Sequence, residues 1–145
     1  MKDVPRLEDI MDAVEQAHFF EDGHALIHRR TGEIFVRADY DDIDPEDLRI
    51  RERIEAEEGE WVGLPDRFDF DEYRVMRRFA GDHTESPLTE RLLDTIGGRG
   101  TFRRFKNLLA EKKGLLDAWY EFRLRALEKK VVAELEAEDI PFRRA

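Results

Sequence analysis

Gly97-Gly98-Arg99-Gly100-Thr101-Phe102-Arg103-Arg104-Phe105-Lys106, followed by Trp119-Tyr120-Glu121-Phe122-Arg123, decides how the second half of this chain folds. Two adjacent glycines end one helix, because a last turn closes most easily on a residue free to adopt the left-handed conformation. Beyond Gly100, Phe102, Phe105, Leu108 and Leu109 share one sector of a wheel turned by about 100° per residue. That spacing predicts a helix over 101–113, stopped by Gly114. A last helix follows over about 115–139, with Pro141 beyond it. Leu115, Trp119, Phe122, Ala126 and Ala133 form one apolar stripe on it, and Leu116, Tyr120, Leu124, Leu127 and Val131 form a second beside the first. An arc that wide predicts a central helix packed on two sides.

Toward the N-terminus, Ser86-Pro87 opens a helix with Leu88, Leu92 and Ile96 on one face. Asp69-Phe70-Asp71-Glu72 has the form of a capping box, opening a helix that turns Phe70, Tyr73, Met76, Phe79 and Ala80 inward. Trp61-Val62-Gly63-Leu64-Pro65 is a short apolar segment, either a strand or merely extended. Asp44 can cap a helix with Pro45 at its first position and Glu46-Asp47 at the positive end of the dipole. That helix carries Leu48, Ile50 and Ile54 before Gly59.

Further back the period changes from helical to two. Asp22-Gly23 and Thr31-Gly32 are turn signals, so Phe19-Phe20, 24–29 and 33–37 predict a three-stranded antiparallel meander. A first helix over 5–17 precedes it, with Leu7, Ile10, Met11, Val14 and Ala17 at helical spacing. The fold class is α+β: a small antiparallel N-terminal sheet packed with a helical C-terminal half, in a single domain over 1–145.

The chain is 41% charged, well above the ~25% of an ordinary soluble domain, yet ten phenylalanines supply a core. Its net charge of −10 is unevenly placed. Residues 1–97 hold 13 Lys/Arg against 27 Asp/Glu, a net −14, while 98–145 hold 12 against 8, a net +4. An acidic chain repels nucleic-acid phosphates at long range, which disfavours generic nucleic-acid binding. The asymmetry points instead to pairing within the molecule. Without cysteine there is no disulfide framework, thiolate zinc site or thiol nucleophile, in keeping with a cytoplasmic protein. The N-terminus lacks the apolar stretch of a signal peptide, and no apolar run approaches the ~20 residues of a membrane span.

Candidate chemistry concentrates in cations. A glycine loop before a helix can cradle an anion, and Arg99, Arg103, Arg104, Lys106 and Arg123 are the candidate anion-binding residues. The spacing matches neither the P-loop nor the dinucleotide fingerprint, and both phenylalanines of the 101–113 helix belong to its core face rather than to a base-stacking platform. Arg123 falls inside the apolar arc of the last helix and must reach water, a carboxylate or an anionic ligand. An acid from the N-terminal part is the favoured partner. His24 and His28 share a strand face about 13 Å apart, too far to share a metal. Asp39-Tyr40-Asp41-Asp42-Ile43-Asp44 resembles a calcium loop but has Asp44 where that loop requires glycine and Ile50 where it requires glutamate. No catalytic residue, metal site or cofactor is assigned.

Trp61-Val62-Gly63-Leu64-Pro65, Tyr73-Arg74-Val75-Met76-Arg77-Arg78-Phe79, the Gly98–Lys106 segment and Trp119-Tyr120-Glu121-Phe122-Arg123 together resemble uncharacterised protein family 0158. The Thr31-Gly32-Glu33 turn fits as well, so the likeness spans nearly the whole chain. The resemblance implies one bacterial-type domain and supplies no activity. The expectation is therefore a small soluble, non-enzymatic protein-interaction or regulatory domain with an acidic partner face at 39–47 and 55–60. An anion- or nucleic-acid-binding module using residues 97–106 and Arg123 is the alternative.

Overall fold

The computed structural model describes residues 4–20, 22–37 and 44–144. The fold class is α+β, with a small three-stranded antiparallel sheet near the N-terminus and a mostly helical C-terminal half. The chain groups into two compact units, Met1–Asp69 with Lys130–Ala145, and Phe70–Lys129.

The first unit begins with α1 (Leu7–Phe19), which buries Leu7, Ile10, Met11, Ala13, Val14 and Ala17 along one stripe. It packs on β1 (His24–His28) and β2 (Ile34–Arg37). These two strands form the hairpin expected at Thr31-Gly32, in the register Ile27 opposite Ile34 and Leu26 opposite Phe35. The third strand is β3 (Trp61–Gly63), which pairs antiparallel with the other edge of β1, giving the order β2-β1-β3. Strand alternation then puts Ala25, Ile27, Ile34, Val36 and Val62 on one face, and His24, Leu26, His28, Phe35 and Trp61 on the other.

The expected meander is therefore corrected. Phe19-Phe20 is no strand: Phe19 ends α1 and is 84% exposed. Gly23 belongs to the return from α1 into β1, where a β-carbon would collide with the Ala17 carbonyl. The strand that completes the sheet is Trp61–Gly63, left open between strand and extended segment by its sequence.

Between β2 and β3 lies α2 (Pro45–Ala56), started as its sequence dictates: the Asp44 carboxylate accepts from the Glu46 N–H at 2.9 Å, with Pro45 at the first position. None of its residues is buried. The C-terminal end of the chain closes the unit. Val131, Leu135 and Ile140 are buried, and the Arg143 backbone exchanges hydrogen bonds with Pro5 and Leu7.

The second unit is helical. A short α3 (Arg67–Phe70), part of the first unit up to Asp69, leads into α4 (Glu72–His83), then α5 (Leu88–Asp94), α6 (Thr101–Ala110) and α7 (Leu115–Ala137), whose last turns also belong to the first unit. The capping box sits one turn earlier than expected. Asp66 and Asp69 exchange side-chain-to-backbone hydrogen bonds at 2.8 and 3.2 Å to open α3. Asp71, at φ +50°, then breaks the helix before α4. Phe79, Phe105 and Trp119 are buried, and the Trp119 ring meets those of Phe79 and Phe105 edge-on at centroid distances of 5.4 and 5.2 Å. The wide arc expected on α7 is buried in part: Leu115 and Trp119 of the first stripe and Leu127 and Val131 of the second are buried, with Leu135 beyond them, whereas Tyr120 and Leu124 are exposed.

Candidate functional site

The five candidate cations all lie in the second unit, and three of them, Arg104, Lys106 and Arg123, have partners within the protein. Arg104 points back at the loop it follows. Its guanidinium donates to the carbonyls of Thr95 at 3.0 Å, Gly97 at 2.9 Å and Arg99. The first of these is at the C-cap of α5, where a cation is favoured, and the other two belong to the loop that follows. Thr101 completes the turn, its hydroxyl accepting from the Gly97 N–H and donating to the Gly98 carbonyl. The loop of residues 97–100 is thus organised by its own chain, with Gly100 in the left-handed region ahead of α6.

Lys106 lies over the Tyr120 ring, 5.6 Å from its centroid. Arg123 donates to a Glu72 carboxylate oxygen at 2.5 Å and stands 5.4 Å from the Phe70 ring centroid. Both side chains of that pair are largely withdrawn from water, at 19% and 23% exposure. The acid is one from the acidic part of the sequence, as Arg123's place on the helix required. Arg99 and Arg103 are exposed, and no side-chain partner is found for either among the described residues.

A second cluster, in the first unit, was not found by sequence reasoning. His28 is buried on the second face of the sheet, opposite Trp61 in the β1–β3 register, with the two rings edge-on and 5.0 Å apart. Its Nδ1 accepts from the Arg30 and Thr31 N–H groups, both at 3.1 Å. A nitrogen that accepts twice carries no proton, so Nε2 holds the hydrogen and donates it to Glu57 Oε2 at 2.8 Å. Glu57 Oε1 accepts from Arg53 Nε at 2.5 Å. Arg53 in turn grips both oxygens of Glu33, and its guanidinium lies 5.5 Å from the Trp61 ring centroid. The chain His28–Glu57–Arg53–Glu33 thereby links β1, α2 and the entry to β2.

The electrostatics follow from the hydrogen bonds. Arg53 holds the Glu33 carboxyl down at about 2, aided by the Thr31 hydroxyl and opposed by slight burial. The His28 hydrogen bond, followed by that of Arg53, holds Glu57 below the usual carboxylate range. A histidine–carboxylate pair suggests a general base, but here the nitrogen opposite the carboxylate is occupied by two backbone donors. The pair orders a turn and offers no free lone pair to a substrate.

His24 is exposed, 3.6 Å from Asp66, and shares no ligand with His28. No group of three or more His, Asp or Glu among the described residues is placed to hold a metal ion. The calcium-like run of 39–44 lies outside the described residues except for Asp44, which caps α2. A depression of about 140 Å³ beside the hairpin turn is lined by Pro5, Arg29, Arg30, Gly32 and Ile140. It is well below the ~300 Å³ at which ligand pockets begin, and Arg29 is already bonded to the Glu138 carbonyl and carboxylate. No helix among the described residues is long and apolar enough to cross a membrane.

Comparison with known proteins adds one match. The family model described as an uncharacterised protein family, UPF0158, covers residues 4–144. No curated protein and no solved structure matches.

Proposed function

We propose, starting from the fact that this chain belongs to the uncharacterised protein family UPF0158, that it is a small non-enzymatic interaction or regulatory domain acting in the cytoplasm. Its acidic segments, 39–47 and 55–60 in the sequence, receive a basic surface of another protein. The observation that supports this reading is that α2 buries none of its twelve residues while carrying Glu46, Asp47, Glu52 and Glu55 beside Arg49, Arg51 and Arg53. Leu48 stands 46% exposed among those acids. A charged rim around an apolar residue is what a polar, salt-sensitive protein contact uses. The test is recovery from cell extract at moderate salt on immobilised protein, with a charge-reversed variant (Glu46→Lys, Asp47→Lys, Glu52→Lys) alongside. A partner that cross-links to α2 and is lost with the variant is the expected result. Recovery of no specific partner, or of the same partners by both proteins, would sink the reading.

Arg99 and Arg103 support a second reading, in which the glycine loop contacts an anion or nucleic acid. Lys106, Arg104 and Arg123 already have partners inside the protein, so two exposed arginines carry it. Fluorescence anisotropy with single strands, duplexes and nucleotides at low salt checks it: binding that weakens when both arginines become alanine supports the reading, and flat titrations end it.

A further inference from the structure

On the second face of the sheet, His28 and Trp61 meet Glu57 and Arg53, which come from the end of a helix with no buried residue. Leu48 of α2 is exposed, while Ile50 and Ile54 are only half-buried. By contrast α1 buries six residues. At roughly 25 cal/mol per Å² of apolar surface removed from water, burial secures α1 far more firmly than α2. Polar contacts tie the end of α2 to the sheet. Arg53 reaches Glu33 with both terminal nitrogens at 2.7 and 2.8 Å and lies against Trp61, and Glu57 just past the helix end reaches His28.

We propose that α2 is a releasable strap over the His28–Trp61 face, fastened by the Arg53 side chain and able to open without unfolding the core. The inference concerns how the helix is held and does not depend on which partner, if any, its acids meet. Arg53 is the common member of three contacts, to Glu33, Glu57 and Trp61. Its side chain is 40% exposed, so water and competing ions reach the fastening from outside. A released twelve-residue helix is too short to persist alone in water, so opening converts α2 to coil and exposes its amides. Opening also uncovers the Trp61 ring.

Hydrogen exchange read by mass spectrometry on the full chain tests this. In the wild type, amides over 48–57 should exchange at least about tenfold faster than those of β1 and α1, through local opening. Arg53→Met should accelerate the 48–57 amides by about a further tenfold and leave β1 and α1 unchanged. Glu33→Gln, which keeps the arginine, should move the same amides in the same direction by less. Equal protection of α2 and α1 in the wild type would overturn the proposal. So would acceleration of all segments alike by either variant, or no change over 48–57 with both.

Discussion

Arg53 holds Glu33 by both carboxylate oxygens, at 2.7 and 2.8 Å, across twenty residues of sequence. That grip lowers the Glu33 carboxyl from 4.5 to about 2. A carboxyl depressed in the folded state contributes stability that is complete above its unfolded value and is lost as pH falls through its folded one. The contribution of Glu33 is therefore present above about pH 4.5 and disappears as pH falls toward about 2. Glu33 is half in water, so screening keeps the effect small. In denaturant titrations repeated between pH 7 and 2, Glu33→Gln should show a shallower loss of stability on the acid side than the wild type. Parallel acid limbs would show that Arg53 does not hold Glu33 in solution.

His28 is fixed in one tautomer by its surroundings, because the Arg30 and Thr31 N–H groups both point at Nδ1. Nitrogen chemical shifts of the imidazole should report a hydrogen on Nε2. Replacing the ring by phenylalanine leaves two backbone donors and the Glu57 carboxylate without their partner. Leaving buried polar groups unsatisfied costs about 1–3 kcal/mol, so His28→Phe should lower the unfolding free energy by that order. A stability unchanged in urea would mean that water replaces the ring's hydrogen bonds without cost.

Arg104 and Arg99 separate a structural cation from an available one. Arg104 satisfies three loop carbonyls, and its replacement by alanine should cost about 1 kcal/mol and lower the melting temperature. The exposed Arg99 side chain touches nothing that stability needs, so Arg99→Ala should stay within about 0.5 kcal/mol of wild type. Thermal melts of the two variants decide the assignment; equal melts would mean that Arg104 does not organise the loop.

What the sequence reveals depends on how local the signal is. Asp44-Pro45, Thr31-Gly32 and Gly100 each act through neighbours a few residues away, and the structure places two helix starts and the hairpin at them, whereas α6 stops at Ala110, ahead of the expected Gly114. The third strand pairs residues about thirty-three positions apart, His28 with Trp61, and nothing near Trp61 says which edge it will join. The helix start before α4 moves for a different reason: Asp69 serves as the end of a box with Asp66, and a left-handed Asp71 separates the two helices. On α7 two apolar stripes are visible in the sequence, but only tertiary packing selects which members of each are buried. The same limit governs the cluster at His28. With 35 acidic residues in the chain, every cation has many possible partners, and only the fold chooses Glu57 for His28 and Glu33 for Arg53. The one available hint was a histidine at the end of a strand, directly before a turn whose amides need an acceptor.

Arg123 is the case where the sequence stated the need and the structure supplied the group. A guanidinium on the half-buried flank of α7 required a counter-charge, and Glu72 at the start of α4 meets it at 2.5 Å. With both side chains mostly withdrawn from water, the pair is coupled more strongly than an exposed one, whose worth is typically 0–1 kcal/mol. Removing either member alone leaves the other poorly solvated. Removing both together relieves that penalty. A double-mutant cycle with Arg123→Met and Glu72→Gln, measured by urea unfolding, should therefore give a coupling free energy of about 1–3 kcal/mol, with the double variant less destabilised than the two singles added. An anion-binding Arg123 makes the opposite demand: Glu72 would then be a competitor, and Glu72→Gln would raise affinity for inorganic phosphate. Additive stabilities together with phosphate binding that strengthens in Glu72→Gln would transfer Arg123 from the fold to a ligand site.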